Sequence, residues 1–236
     1  MMKFRISNLL KGAAIAVTMA AASITTATAA TPNAHPTIRA MAGANQVDHL
    51  DPKTTALVVI DFQKEYFPGG RMPIPDGAKA MENAKKLIAF ADKNKMPVFQ
   101  VQHVTPAGSA VFAEDGETVK FQPGMEPRAH DILVKKNTVS VFPSTNLDKQ
   151  LKDKGIKTIV IAGLMTHACV AGAARDAVPL GFDVVVASDA TATRDITRAN
   201  GAKVDHKALH NASLAEVEDT FGSVMTTSEI TKLPLR

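Results

Sequence analysis

The sequence predicts an α/β fold of three layers, with helices on both faces of a six-stranded parallel sheet. Six short runs of mostly apolar residues, several of them rich in Val and Ile, recur along the chain, as is typical of strands buried on both faces. Segments with apolar residues at helical spacing separate these runs. Hydrophobic residues make up 45% of the 236 residues and charged residues 21%, which is the balance of an ordinary globular domain.

The strands are predicted from these apolar runs. The first run, TALVVI, and the fourth, TIVIA, contain no charged residue and are typical of central strands. The predicted strands are residues 55–60, 98–103, 131–134, 158–162, 183–187 and 223–227. Residues 104–130, rich in Gly and Pro, are predicted to form a long loop of the kind that often covers or lines a site.

The helices are predicted between the strands. The first opens at Pro75-Asp76-Gly77 and reaches about Lys95, and three others cover residues 145–154, 168–180 and 204–220. Ser144 is the predicted cap of the second helix and Gly155 its end. Pro179 predicts an early end or a kink in the third helix. Strands that alternate with helices imply right-handed crossovers and hence a parallel sheet.

Residues 1–30 are predicted to be a cleavable signal peptide. A basic start precedes a short apolar stretch at 12–24, and small residues allow cleavage after Ala29 or Ala30. The stretch is shorter than the roughly 20 residues of a membrane-spanning helix. The alternative is an Ala-rich helix at the edge of the domain. The signal predicts a periplasmic or secreted protein, with residues 31–52 as an arm or linker.

The charge and composition exclude several classes of partner. Residues 1–30 carry three of the 27 basic residues and none of the 23 acidic ones, so the rest of the chain is close to neutral. This balance, the lack of Trp and the single Tyr argue against a nucleic-acid partner. A single cysteine excludes an internal disulfide and a Cys-rich zinc site. After signal cleavage no membrane partner is expected.

Three chemically useful residues come near the ends of predicted strands, where sites form in parallel sheets. They are Asp61, Lys136 and Cys169. Each has an ordinary alternative, namely a turn cap, half of a surface pair with Lys135, or a small buried hydrophobe. A cysteine at a helix N-terminus beside a cation is expected to have a lowered pKa.

Four motifs contain or flank these residues. They are ALVVIDFQKEYFPGG at 56–70, VKKNTVSVF at 134–142, IAGLMTHACV at 161–170 and VVVASDA at 184–190. In order and spacing they resemble the isochorismatase-like cysteine hydrolases, a superfamily that includes nicotinamidases, N-carbamoylsarcosine amidohydrolases and ureido-group amidases. The resemblance implies a Rossmann-like, isochorismatase-like hydrolase domain at 53–236.

The resemblance also implies roles for individual residues. Asp61 would be the base, Lys136 its companion cation, and Cys169 the nucleophile, with Lys136 preferred over Lys135 for its spacing to Phe142. A cis peptide at Leu164–Met165 and an oxyanion hole formed by the N–H groups of Met165 and Cys169 are expected. The expected substrate-binding residues are Gln63, Tyr66, His103, Phe142, Thr166 and His167. The protein is expected to form a homo-oligomer.

Two departures narrow the expected reaction. Nicotinamidases carry an Asp/His metal cluster after the second strand, whereas this chain has His103-Val-Thr-Pro, so no metal and no other cofactor is expected. True isochorismatases, which act on a vinyl ether, usually lack the cysteine. Cys169 therefore favours hydrolysis of an amide or ureido C–N bond through a thioester. A vinyl ether hydrolase and a catalytically silent binding or scaffold protein are the alternatives.

Overall fold

The computed structural model describes residues 35–236, so the predicted signal peptide lies outside the described residues. The main sheet contains six strands, which are β1 (Thr55–Ile60), β2 (Val98–His103), β3 (Ile132–Lys136), β4 (Thr158–Leu164), β5 (Asp183–Ala192) and β8 (Ser223–Met225). A small hairpin of β6 (Ile196–Thr197) and β7 (Lys203–Val204) follows β5. The helices are α1 (Ile38–Met41), α2 (Gly77–Lys93), α3 (Leu147–Asp153), α4 (Ala171–Ala177), α5 (His206–Thr220) and α6 (Thr227–Ile230).

The strands of the main sheet are all parallel and follow the order β3-β2-β1-β4-β5-β8. In the centre, Val58 of β1 pairs with Phe99 of β2 on one side and with Ile161 of β4 on the other. Every residue of β1 is buried, as its apolar sequence requires. The predicted three-layer α/β fold is confirmed.

Two hydrophobic cores cover the two faces of the sheet. Alternate residues of β1 supply them, because successive side chains of a strand point to opposite faces. Leu57 and Val59 face α2, whereas Val58 and Ile60 face α3, α4 and α5. The carboxyl ends of β1, β3 and β4 therefore meet along one edge of a rigid, well-packed sheet.

Several predicted boundaries differ from the structure. β3 runs on to Lys136, whose buried side chain contacts Asp61, His103 and Cys169. The third predicted helix starts instead with a π-helical turn at Thr166–Val170, and α4 ends at Ala177, shortly before Pro179. Ser144 does not cap α3; its Oγ accepts from Asn137 N at 3.2 Å. The β6–β7 hairpin and α6 are too short to give a sequence pattern.

The loop 104–130 is packed against the domain. Its apolar side chains Phe112, Val119 and Met125 are buried in the core beside α2. The carboxylate of Glu65, itself buried, accepts from Thr118 Oγ1 at 2.6 Å and from Phe112 N at 3.3 Å. These contacts make the loop a fixed wall of the site region.

Residues 35–52, the described part of the predicted arm or linker 31–52, lie against the domain. Ile38 N donates to Asp219 Oδ1 at 2.8 Å and Val47 N donates to Ser223 Oγ at 2.9 Å. Leu50 is buried and forms a bridge with Leu235. The segment thus runs past α5 and β8. Within residues 35–236, none of the helices has the length and apolar character needed to cross a membrane.

Candidate active site

Asp61, Lys136 and Cys169 converge at the carboxyl edge of the sheet. Lys136 Nζ lies 2.8 Å from Asp61 Oδ2 and donates to Cys169 Sγ at 3.4 Å. The three residues are 0%, 2% and 3% exposed, respectively. A carboxylate, an ammonium group and a thiol thus share one small region from which bulk water is excluded.

Asp61 follows β1 directly and has a left-handed backbone with φ 54°. Its N–H donates to Val101 O at 3.0 Å, which holds the residue against the end of β2. Burial raises the pKa of Asp61 above its usual value, and the charge and hydrogen bond of Lys136 oppose this rise. A carboxylate whose pKa is raised is a better proton acceptor than an exposed one.

Lys136 is the last residue of β3 and points into the site, whereas Lys135 is exposed. The alternation of side chains along a strand explains why only one of the two neighbours reaches the thiol. Besides Asp61 and Cys169, Lys136 Nζ contacts His103 Nδ1 at 2.8 Å and Thr138 O at 3.1 Å. The ammonium group is therefore surrounded by four acceptor atoms.

Cys169 lies in the π-helical turn Thr166–Val170, between β4 and α4. A cis peptide bond joins Leu164 and Met165, as the resemblance implied. The preceding Gly163 has φ 149°, and a Cβ at this position would collide with the backbone of Ile60. The close approach of β4 to β1 at this point brings the turn beside Asp61.

The expected low pKa of the cysteine is wrong. Burial raises the pKa of Cys169 to about 12, and the negative charge of Asp61 adds to this effect, while Lys136 only partly opposes it. The turn at Cys169 is a short π-helix and not the start of a long α-helix, so the helix-dipole argument is weak here. The resting side chain is a thiol.

The side chain of Gln63 is hydrogen-bonded to the backbone of His103. The Gln63 side chain is buried and donates to His103 O at 2.8 Å and to Val119 O at 2.6 Å, while its Oε1 accepts from His103 N at 2.8 Å. This carboxamide, expected to bind substrate, instead has its hydrogen bonds directed to backbone groups. It fastens the loop 104–130 to the end of β2.

The His103 ring stacks on Phe112 with 4.7 Å between ring centroids and 6° between planes. Burial and the nearby charge of Lys136 lower the pKa of His103 to about 4, so the ring is neutral near pH 7. Because a protonated lysine only donates, His103 Nδ1 accepts from Lys136 Nζ.

Tyr66 packs edge-on against Phe112 and is nearly fully buried. Burial, followed by the charges of Cys169 and Asp61, raises the pKa of Tyr66 well above its usual value. Phe142 lies in the other core, where its ring stacks on Phe182 at 6.2 Å between centroids. The two aromatic residues expected to line one pocket therefore lie in different cores.

Thr166 and His167 are held by partners from later elements of the chain. Thr166 Oγ1 is hydrogen-bonded to His210 Nδ1 at 2.8 Å, and His167 Nδ1 to Thr193 Oγ1 at 2.6 Å. Burial lowers the pKa of both histidines. The π-helical turn that contains Cys169 is thereby tied to the end of β5 and to α5.

Arg194 is a residue of this region that the sequence did not single out. It directly follows Thr193, which is hydrogen-bonded to His167, and its charge acts to lower the pKa values of both Tyr66 and His167. Within the described residues, its Nε is buried with no hydrogen-bond partner and the side chain forms no ion pair, although Nη1 donates to Asp195 O at 3.1 Å. Arg194 is one of 27 lysine and arginine residues, and no sequence motif sets it apart from the others.

Two groups of side chains in the described residues have donor atoms close enough to hold a metal ion. Asp61, His103 and Cys169 form one group, with ligand atoms within 4.8 Å of one another, and the Lys136 ammonium lies among them. The second group is Asp195, Asp205 and His206, of which the two carboxylates are exposed.

Comparison with known proteins supports one family. The isochorismatase domain model matches residues 55–229. The chain is 32% identical over 176 residues to the secreted isochorismatase effector Isc1 of Verticillium dahliae, covering 75% of this chain and 90% of that protein. It is 28% identical over 186 residues to a maleamate amidohydrolase of Pseudomonas putida KT2440, with 72% and 82% coverage. An isochorismatase crystal structure from the same bacterium has 27% identity and a TM-score of 0.77, covering 83% of this chain and 99% of that one.

Proposed function

Because the chain belongs to the isochorismatase family of hydrolases, we propose that it hydrolyses the C–N bond of a small amide or ureido compound through a thioester on Cys169. The observation that carries the proposal is that Asp61 Oδ2 and Cys169 Sγ both lie within 3.4 Å of the Lys136 ammonium nitrogen. A base, a cation and a nucleophile in such proximity are the parts that acyl transfer to sulfur requires.

The proposed first step joins proton transfer to attack. Since the pKa of Cys169 is about 12, little thiolate exists before substrate binds, and Asp61 takes the thiol proton as sulfur attacks the carbonyl carbon. Lys136 stabilises the negative charge on sulfur. The charge that develops on the carbonyl oxygen would be received by the N–H groups of Met165 and Cys169.

The proposed second half returns the site to its starting state. The C–N bond breaks, and Asp61 transfers its proton to the leaving nitrogen, which departs as an amine or ammonia. A water molecule then gives a proton to Asp61 while its oxygen attacks the thioester. The carbon–sulfur bond then breaks, Asp61 passes this proton to the sulfur, and the acid leaves, which restores the Cys169 thiol and the Asp61 carboxylate.

The Arg194 guanidinium group favours a substrate that carries an acidic group near its amide. A half-buried guanidinium with a buried, unpartnered Nε is matched by a carboxylate, since arginine binds carboxylates with paired hydrogen bonds. The relative that is a maleamate amidohydrolase fits this chemistry, because maleamate contains both a carboxylate and an amide. We therefore propose mono-amides or ureido derivatives of small acids as substrates.

The proposed place of action is outside the cytoplasm. The basic start, the apolar stretch and the small residues of segment 1–30 support an export signal. A relative described as a secreted effector is consistent with this location.

The test is a panel of mono-amides of dicarboxylic acids, ureido acids and matched neutral amides, with release of ammonia or amine as the readout. Rapid quenching followed by mass spectrometry should find the acyl group on Cys169. Lys135→Ala is the matched control, because this lysine adjoins Lys136 but is exposed. Acyl adducts absent from Cys169 during active turnover would exclude the thioester, and no turnover of any amide would favour the silent binding protein.

A further inference from the structure

The Lys136 ammonium occupies a position that suits a metal ion. Its Nζ is 2.8 Å from Asp61 Oδ2, 2.8 Å from His103 Nδ1, 3.1 Å from Thr138 O and 3.4 Å from Cys169 Sγ. A carboxylate, an imidazole and a thiolate are ligands that Zn²⁺ accepts, and four neighbours are its usual number. The protein thus places its own cation inside a set of metal ligands.

The ligand atoms need only small movements to bind a metal. Those of Asp61, His103 and Cys169 lie within 4.8 Å of one another. Zinc bonds to oxygen, nitrogen and sulfur are about 2.0–2.3 Å long, so each atom would move inward by roughly 1 Å. The stacking of His103 on Phe112 and the bonds of Gln63 to the His103 backbone keep the imidazole oriented towards this point.

We propose that Asp61, His103 and Cys169 form an inhibitory site for a thiophilic divalent metal, Zn²⁺ or Co²⁺, which competes with the Lys136 ammonium for one position. On binding, the Cys169 thiol loses its proton to solvent, a metal–sulfur bond forms, and Lys136 withdraws with its charge. The Thr138 carbonyl is available as a fourth ligand. No oxidation state changes.

The site differs from the group Asp195, Asp205 and His206. That group has exposed carboxylates and no sulfur, and its Asp205 carboxylate already caps α5 through Lys207 N and Ala208 N. A metal held there would show no bond to sulfur. The nature of the ligands therefore separates the two locations in an experiment.

The test uses Co²⁺ because a cobalt–thiolate bond gives a charge-transfer band in the near ultraviolet. The purified chain is titrated with Co²⁺ as the wild type and as Lys136→Ala, Lys135→Ala and Cys169→Ser. Lys136→Ala should bind Co²⁺ at least about tenfold more tightly than the wild type, because it lacks the competing charge. Lys135→Ala should match the wild type, and Cys169→Ser should lose the band.

A second measurement needs neither substrate nor the lysine variant. Zn²⁺ should slow alkylation of Cys169 by iodoacetamide in the wild type, and a chelator should restore the rate. Neither readout depends on amide hydrolysis, so the outcome is separate from the amidase proposal. The metal site is overturned if Zn²⁺ leaves alkylation unchanged, if the band survives in Cys169→Ser, or if Lys136→Ala binds Co²⁺ no better than Lys135→Ala.

Discussion

Replacing Lys136 by Met should make the stability of the protein fall as the pH rises. The variant keeps the volume of the side chain but leaves the Asp61 carboxylate, 0% exposed, without the ammonium 2.8 Å away. Removing one partner of a buried ion pair typically costs about 3–5 kcal/mol, because the remaining charge is uncompensated. We expect Lys136→Met to lose this amount from its free energy of unfolding near neutral pH.

The sign of the pH dependence follows from Asp61. Its pKa is already raised by burial and would rise further without Lys136. When the pKa of a carboxyl group in the folded state lies above its unfolded value of about 3.9, the folded protein binds the proton more tightly. The contribution of that group to the free energy of unfolding is then fully present below about pH 3.9 and is lost as the pH rises through the folded-state pKa. Lys136→Met should therefore be closest to the wild type at low pH and furthest from it near neutrality.

Urea denaturation followed by circular dichroism at several pH values measures this effect. Lys135→Met is the control, because its exposed side chain should change stability by no more than about 0.5 kcal/mol. In the double variant Asp61→Asn/Lys136→Met this added pH dependence should disappear, since the carboxylate of Asp61, which causes it, is gone. An equal loss of stability at low and neutral pH in Lys136→Met would refute the reasoning.

The remaining predictions concern the reaction. Cys169→Ala should lower turnover by about a thousandfold or more but change the free energy of unfolding by only about 1 kcal/mol. Steady-state kinetics and urea denaturation measure the two effects, and full turnover would contradict the thioester. Arg194→Met should raise the KM for acidic amides about tenfold or more and leave the KM for neutral amides unchanged. The reason is that a hydrogen bond to a charged group contributes about 1.5–3 kcal/mol to binding. An equal effect on both kinds of amide would contradict the carboxylate contact. Extended treatment with a chelator should leave turnover unchanged; a loss that added metal reverses would show a metal requirement.

The bounds of β1 and β2 were predicted correctly because nearly all of their residues are buried. The predicted bounds of β1 and β2 agree with the observed Thr55–Ile60 and Val98–His103, since both runs are almost wholly buried and end at turns. The third strand was predicted to end at Val134, whereas β3 continues to Lys136. Lys136 nevertheless lies inside the strand, as its charge is compensated by Asp61 from a distant segment.

The sequence predicted the residues of the site that lie in its motifs but not the burial and pairing of their side chains. Asp61, Lys136 and Cys169 were identified by their places near predicted strand ends and by the family resemblance of the motifs that contain them, and the structure brings them together. The raised pKa of Cys169 was missed, because the sequence reveals a cysteine before a helix but not how completely it is buried. Arg194 was missed for a similar reason, since the sequence does not show that its Nε is buried without a hydrogen-bond partner among the described residues.

The strand order has a consequence for how the chain folds. The middle of the sheet is the pairing of β1 with β4, in which Val58 meets Ile161, a residue about 100 positions later in the chain. Contacts of such sequence separation make folding slow, because a long stretch of chain must be closed before they form. During synthesis, β1 cannot obtain its second neighbour until β4, which begins at Thr158, has been translated. Until then one edge of the apolar strand β1 has no partner strand, and an exposed edge of this kind promotes aggregation.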